Sequence, residues 1–208
     1  KNSLLKYYDK NTSFFIFKLI CIVFFRNTML WVKILYKNNK IGIVLPAYNE
    51  ATQIEKVINT LPSFIDEIVV VDDKSTDNTS IIVKSIMNDR NDVKLIEHKK
   101  NLGCGGALAT GYNHLKTMNV DVAIRMDGDG QMNPKELSSL IDPIINDHID
   151  YVKGNRFMTG EAYLKIPKVR YFGNAVLSLL TKIVSGYWHV ADSQSGYTAC
   201  NHKVLKTI

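Results

Sequence analysis

The feature that most constrains the fold of this chain is an alternation, beginning at residue 41, of short β-branched runs with segments of helical periodicity. Runs of the first kind end in turn formers and predict buried strands at residues 41–45, 68–71, 93–96, 122–126 and 151–152. Apolar residues recur at helical spacing in residues 51–61, 108–115, 137–145 and 172–183. This alternation predicts an α/β fold of βαβ units, with a mostly parallel sheet and helices on both faces.

The net charge of +6 is concentrated at one end of the 208-residue chain. Residues 1–40 carry eight basic side chains and one acidic side chain, whereas residues 41–208 carry eighteen and nineteen. Because the part predicted to fold is nearly neutral, we expect no nucleic-acid partner. Within that part, residues 41–150 have a net charge of −7 and residues 151–208 a net charge of +6, which hints at two ligands of different charge.

The length and the cysteine content indicate the domain organisation and the compartment. A chain of 208 residues fits one α/β domain, and no linker follows residue 40, so we predict a single domain over 41–208. Cys21, Cys104 and Cys200 are widely and unequally spaced, which predicts neither a disulfide framework nor a zinc site. We therefore expect buried thiols in a reducing compartment, the cytoplasm.

Residues 1–40 form a separate basic and apolar segment. The longest uninterrupted apolar run, residues 19–25, has seven residues, against about 20 for a spanning helix. No signal-peptide cleavage site is recognisable. Three interpretations stay open: a helix in a bilayer interface, a packed N-terminal helix, or a natural chain that starts later, since residue 1 is Lys and the first methionine is Met29.

The loops after the predicted strands are the expected location of a binding site, because ligands of open α/β sheets lie beyond the carboxyl ends of the strands. In the fourth loop, Asp127 and Asp129 alternate with Gly128 and Gly130, which allow the chain to turn and both carboxylates to reach one cation. Oxygen ligands favour Mg²⁺ or Mn²⁺ over zinc. The alternative is a solvated acidic turn.

Two further loops carry carboxylates with two interpretations each. Asp72 and Asp73 follow the second strand, where one could bind a nucleotide base or ribose, or both could serve turn and capping roles. Asp192 precedes Ser195 and Gly196 in a polar loop, where it could be a general base or an Asx-turn residue. For the glycines at 105 and 106 we expect close helix–sheet packing beside a ligand, because neither a dinucleotide fingerprint nor a P-loop is complete.

Taken together, these loops resemble the family 2 glycosyltransferases. The resemblance extends over about residues 41–202 and rests on motifs in one order: LPAYNE at 45–50, VDDKSTD at 71–77, NLGCGGA at 101–107 and DGDGQ at 127–131. It is greatest with the non-processive branch that includes the dolichol-phosphate mannose synthases and bacterial polyprenyl-phosphate sugar transferases. The Gln-x-x-Arg-Trp motif of the processive synthases is absent.

The resemblance implies a GT-A fold with a Rossmann-like sheet, an inverting reaction, a nucleotide-sugar donor and a divalent cation, Mg²⁺ or Mn²⁺. It implies that Asp127 and Asp129 hold donor and metal and that Asp192 is the catalytic base. The other implied donor-binding residues are Pro46, Tyr48, Glu50, Asp72 or Asp73, and Arg156.

The acceptor side departs from the family pattern at one position. An arginine commonly follows the aromatic residue of the acceptor loop, but here Thr198 follows Tyr197. The basic residues Lys165, Lys168, Arg170 and Lys182 surround a helix with a broad apolar face, which either suits an anionic lipid or is plain core. We therefore hypothesise a polyprenyl-phosphate acceptor and a peripheral membrane contact at the cytoplasmic face.

Two rival functions are weighed against this one. A nucleotidyltransferase would be expected to have a Gly-rich, basic first loop, which residues 46–50 do not form. A truncated or inactive protein that binds a nucleotide sugar without turnover stays open, because the chain stops at Ile208, where relatives often continue into further helices.

Overall fold

The computed structural model describes residues 35–155, 168–186 and 195–208; within the helix at 168–185 it describes side chains at 173 and from 176 onward. The contact pattern separates Lys1–Lys33 from Ile34–Ile208, and all the described residues belong to the second unit. The predicted N-terminal segment lies mostly outside the described residues. Its described end, residues 35–40, is part of the second unit, where the Tyr36 hydroxyl and the Lys37 ammonium both donate to Asp142 Oδ1 at 2.8 Å.

Strands and helices alternate as the sequence predicts. The strands are β1 (Ile41–Ala47), β2 (Glu67–Asp72), β3 (Val93–Glu97), β4 (Val122–Arg125), β5 (Tyr151–Lys153) and β6 (Thr198–Asn201). The helices are α1 (Ile54–Thr60), α2 (Thr79–Asp89), α3 (Gly103–Thr117), α4 (Leu137–Asn146), α5 (Lys168–Ser185) and α6 (His202–Thr207), with a 3₁₀ turn at Pro134–Glu136. All five predicted strands and all four predicted helices are present, with ends shifted by a few residues.

The sheet has the order β3-β2-β1-β4-β6-β5. Strands β3, β2, β1 and β4 run parallel to one another, whereas β6 runs antiparallel to both β4 and β5. The sequence analysis predicted no strand at β6, because its four residues, Thr-Ala-Cys-Asn, show neither alternation nor a β-branched run. Pairing on both sides makes it a strand, and the sheet remains mostly parallel.

Two apolar layers enclose the sheet. Successive residues of β1 point to opposite faces: Ile43 and Leu45 pack in the layer formed with α1, α2 and α4, and Val44 packs in the layer with α3 and α6. All three side chains are fully buried. Both faces of β1 are therefore covered, which holds its carboxyl end, and the loop after it, in a fixed position.

The close helix–sheet packing comes from a different glycine than the sequence suggested. A Cβ at Gly105 would have no atom within 4 Å, and one at Gly106 would meet Leu102 of the preceding turn. Gly111 makes the contact, since a Cβ there would lie 2.3 Å from Val44 Cγ1. The expectation for residues 105 and 106 was therefore wrong, and the packing position lies one and a half turns further along α3.

The cysteine prediction holds in part. Cys200 is buried, as expected, but Cys104 at the start of α3 is exposed, and Cys21 lies outside the described residues. None of the described helices is long and apolar enough to cross a membrane.

Candidate active site

The first and second strand-end loops are joined by hydrogen bonds from backbone to side chain. Three N–H groups of the first loop donate to the second: Asn49 to Ser75 Oγ (2.9 Å), Glu50 to Thr79 Oγ1 (2.9 Å) and Ala51 to Asp77 Oδ2 (3.0 Å). In return, Thr76 N donates to Asn49 Oδ1 at 2.8 Å. The polar residues of the second loop thus hold the turn that leads from β1 to α1, which fixes Tyr48 and Glu50 at the sheet edge.

Asp77 has the capping role expected from the sequence. Its Oδ1 accepts from Thr79 N at 3.0 Å and from Thr79 Oγ1 at 2.5 Å, at the start of α2. Burial by itself would raise the pKa of Asp77, but the hydrogen bonds from Thr79 and Ala51 lower it below its usual value. Asp77 is therefore a charged member of the site at neutral pH.

Asp72 and Asp73 are both buried, and each binds a different loop. Asp72 Oδ1 accepts from the backbone N–H of Ser75, at 3.2 Å, and from its hydroxyl, which is the turn chemistry predicted for this pair. Asp73 Oδ1 lies 2.7 Å from His98 Nδ1 and accepts from Leu102 N at 2.8 Å. Burial would raise the pKa of Asp73, but Leu102 and His98 lower it. Asp73 thus anchors the loop that begins α3.

The loop after β4 brings Asp127 and Asp129 to the same edge. Gly130 has φ +72°, the left-handed conformation that the predicted turn requires. Gly128 approaches the first loop so closely that a Cβ there would lie 3.3 Å from the carbonyl oxygen of Pro46. The structure thus brings Pro46, Glu50, Asp127 and Asp129 together at one edge of the sheet.

The electrostatics of this site favour a cation. Burial raises the pKa of Glu50, and the negative charges of Asp129, Asp77 and Asp127 raise it further. We call these four residues the acidic pocket. A cation close to these carboxylates offsets the repulsion that they exert on Glu50.

The donor set of the acidic pocket fits Mg²⁺ or Mn²⁺. Its ligands are carboxylate oxygens, the type that these hard cations prefer. Within the described ranges, no three acidic, histidine or cysteine side chains converge closely enough to form a cage made of protein alone. Magnesium-type sites often use one or two carboxylates and take the remaining ligands from water and substrate phosphates, so this geometry suits a metal that arrives with a phosphate-bearing ligand.

The segment Ser195–Tyr197 covers the Asp127 side of the pocket. The Tyr197 hydroxyl donates to the carbonyl oxygen of Asn133 at 3.0 Å, and Gly154 N donates to the Tyr197 carbonyl at 2.8 Å. Burial raises the pKa of Tyr197, so its phenol stays protonated and keeps donating. The segment is thereby tied both to the end of the aspartate loop and to the end of β5.

Two predicted site residues lie outside the described residues: Arg156, just beyond Asn155, and Asp192, three positions before Ser195. Sequence reasoning missed Arg125, the last residue of β4, whose Nε donates to Asp127 Oδ1 at 3.1 Å. The available signal was a lone charged residue ending the apolar run Val-Ala-Ile, two positions before the first aspartate.

Comparisons with known proteins agree with this geometry. The profile of the family described as "Glycosyl transferase family 2" matches residues 42–208. The chain is 37% identical over 181 residues to a UDP-N-acetylglucosamine–dolichyl-phosphate N-acetylglucosaminyltransferase of Methanococcus voltae, covering 81% of this chain and 72% of the relative. It is 27% identical to an undecaprenyl-phosphate mannosyltransferase of Micrococcus luteus, covering 79% of this chain and 68% of the relative.

Among solved structures, the fold is similar to glucosyl-3-phosphoglycerate synthase of Mycobacterium tuberculosis in complex with Mn²⁺, UDP and glucosyl-3-phosphoglycerate. The TM-score is 0.62 at 23% identity, and the match covers 83% of this chain and 60% of the synthase chain. At this identity the likeness concerns the fold, and the chain spans less than two thirds of that enzyme.

Proposed function

The chain belongs to glycosyl transferase family 2, and from this premise we propose that it transfers a sugar from a nucleotide-sugar donor to a polyprenyl-phosphate acceptor, with a divalent cation and inversion at the sugar carbon. The observation that carries the proposal is the acidic pocket at the carboxyl ends of β1, β2 and β4, where burial and the carboxylates of Asp129, Asp77 and Asp127 raise the pKa of Glu50. A cation-binding pocket at that edge is what a nucleotide diphosphate requires.

Donor binding is assigned to the loops after β1 and β2. In this proposal Pro46 and Tyr48 line the nucleotide pocket and Glu50 closes its inner side; Tyr48 is about half exposed, at 49%, and is free to stack on a base. Of the two aspartates after β2, we favour Asp72 for the base or ribose, because Asp73 already holds the loop before α3. Arg156 is proposed to contact the phosphates.

Asp127 and Asp129 are proposed to hold Mg²⁺ or Mn²⁺, which would stabilise the charge on the departing nucleoside diphosphate. On the acceptor side, Asp192 is proposed as the base that takes the acceptor proton. The acceptor oxygen bonds to the anomeric carbon as the bond from that carbon to the diphosphate oxygen breaks. One in-line displacement inverts the configuration and needs no covalent enzyme intermediate.

The lipid acceptor is supported by the relatives and by α5. Both relatives named above act on polyprenyl phosphates according to their names. In α5, the described side chains Leu179, Leu180 and Ile183 are each more than half exposed, so the plain-core interpretation does not hold for them. With Lys182 beside them, these residues suit an amphipathic contact with an anionic membrane surface.

We place this contact at the cytoplasmic face of a membrane and keep residue 40 as the proposed boundary between the N-terminal segment and the transferase domain. Neither proposal involves nucleic acid.

The proposal is tested with the purified chain, a panel of nucleotide sugars and a short-chain polyprenyl phosphate. We expect one donor to raise the melting temperature with Mn²⁺ present and to be transferred to the lipid phosphate, with activity lost in excess EDTA. Transfer that is unchanged in EDTA would refute the metal assignment. Donor binding without any transfer or hydrolysis would favour the nucleotide-sugar-binding alternative.

A further inference from the structure

Arg125 pairs with Asp127, the carboxylate of the acidic pocket for which a metal ion would compete with it. Its Nε donates to Asp127 Oδ1 at 3.1 Å, and its Nη2 lies 3.5 Å from Cys104 Sγ. The Arg125 and Asp127 side chains are 26% and 30% exposed, so the pair is accessible and not locked in the core. Such partly exposed ion pairs are weak, on the order of 1 kcal/mol or less, and exchange partners readily.

The backbone at Gly196 packs against one side of this pair. Gly196 lies directly against it: a Cβ at that position would be 2.9 Å from both Arg125 Nη2 and Asp127 Oδ2. Arg125 is also the register partner of Thr198 in the pairing of β4 with β6, two residues beyond Gly196. The guanidinium is therefore held between the metal carboxylate and the segment Ser195–Tyr197.

A metal cation bound to Asp127 and the Arg125 guanidinium paired with Asp127 repel each other. A divalent ion that binds this carboxylate meets the repulsion of a positive charge already paired with it. The repulsion is removed if the guanidinium gains an anionic partner, and a diphosphate supplies oxygens that an arginine binds strongly. The described hydrogen bonds of Arg125 use only Nε and Nη2, which leaves Nη1 to reach such a ligand.

We infer that Arg125 is an exchangeable counter-ion of the metal site. Its guanidinium pairs with Asp127 when no donor is bound and pairs with the donor diphosphate when the metal is bound. The inference rests on the proposed function. It predicts that Mn²⁺ alone binds weakly and that the nucleoside diphosphate strengthens Mn²⁺ binding, with the reciprocal effect of Mn²⁺ on the nucleotide. Arg125 is thus a positioning residue that couples the two ligands.

The test is isothermal titration of the full chain with Mn²⁺, with and without saturating UDP, for the wild type and Arg125→Gln. We expect Arg125→Gln to bind Mn²⁺ alone about tenfold more tightly than the wild type, because a repelling charge is gone. The strengthening by UDP should fall by a similar factor. A merely structural role for Arg125 gives the opposite sign, a weaker Mn²⁺ site in the variant.

A matched control exists within the chain. Arg90 pairs with Asp92 at the same sequence separation, with an Nε–Oδ1 distance of 3.1 Å and side-chain exposures of 26% and 25%, but it lies at the amino end of β3, away from the pocket. Arg90→Gln should leave both Mn²⁺ affinities unchanged. Arg125→Lys, which keeps the charge, should bind Mn²⁺ alone as weakly as the wild type.

The outcomes separate the inference from the proposed function. If UDP strengthens Mn²⁺ binding in the wild type but Arg125→Gln binds Mn²⁺ alone no more tightly, the inference is wrong and the metal site stands. If the wild type does not bind Mn²⁺ with UDP or with any other nucleoside diphosphate of the donor panel, both are wrong. Should Arg125→Gln melt well below the wild type, Arg125→Met repeats the measurement. The predicted coupling is also wrong if, in the wild type, saturating UDP strengthens Mn²⁺ binding by less than a few-fold.

Discussion

Substitution of Gly111 by alanine tests the packing that holds the site in place. Gly111 lies in α3 against β1, and a Cβ there would be 2.3 Å from Cγ1 and 2.9 Å from Cγ2 of the fully buried Val44. Non-bonded carbon atoms prefer a separation of about 3.5–4.0 Å, so the new methyl overlaps valine by more than 1 Å. Valine is β-branched and has few rotamers with which to relieve the overlap.

The magnitude follows from two opposing effects. Overpacking of a core costs about 1–3 kcal/mol, and we take the upper part of that range because the new Cβ overlaps both methyl groups of Val44. Replacement of glycine by alanine inside a helix stabilises the helix by about 1 kcal/mol. We therefore expect Gly111→Ala to lower the free energy of unfolding by about 1–2 kcal/mol, equivalent to a fall in melting temperature of roughly 2–8 °C for a chain of this size.

Gly105→Ala is the matched control, since a Cβ there has no atom within 4 Å in the same helix. It should be neutral or more stable by up to about 1 kcal/mol. Urea unfolding followed by circular dichroism measures both variants. A second arm combines Gly111→Ala with Val44→Ala, where the new methyl occupies the space that valine vacates, so the double variant should be more stable than the sum of the single effects predicts. The reasoning is refuted if Gly111→Ala is as stable as Gly105→Ala.

Four further predictions concern the site. Asp129→Asn should abolish transfer without lowering the melting temperature, because the side chain lies in a loop at the strand end; transfer at the wild-type rate would contradict its metal role. Asp192→Asn should keep donor affinity, measured by titration calorimetry, and lose turnover, and the reverse pattern would show that Asp192 is not the base. Glu50→Gln should raise the melting temperature at pH 7 and weaken donor binding. The pKa of Glu50 is raised in the folded state, so the folded protein is most stable where Glu50 is protonated, below the pKa of the unfolded state. This stability is lost as the pH rises through the folded-state pKa, and glutamine, which carries no charge, does not lose it. Near pH 4 the two proteins should therefore melt alike, and a constant difference across pH would refute this. Replacing Leu180 and Ile183 together by glutamine should reduce sedimentation with anionic liposomes at low salt while leaving the melting temperature unchanged; unaltered sedimentation would exclude this face of α5 from the membrane contact.

Features that depend on neighbouring residues could be predicted from the sequence. Alternating β-branched and helical periodicities report burial along a single element, so β1 to β5 and the helices α1, α3, α4 and α5 were recognisable. The turn at Asp127–Gly130 was also predictable, because glycine adopts without strain the positive φ that Gly130 has. The edge of the sheet that carries the site was predictable from the parallel topology, because the loops after β1, β2, β3 and β4 all leave the sheet at the carboxyl ends of the strands.

Contacts between residues distant in sequence were decided by the tertiary structure. Strand β6 exists because β4 and β5 pair with it on both sides, and nothing within its four residues predicts that pairing. The same pairing brings Gly196 against the ion pair of Arg125 and Asp127, about seventy positions earlier in the chain. The raised pKa of Glu50 likewise depends on burial within the assembled site and on three carboxylates from two other loops. Local sequence determines which elements form and where they turn, whereas the distances between the charged groups of the site depend on how the sheet assembles those elements.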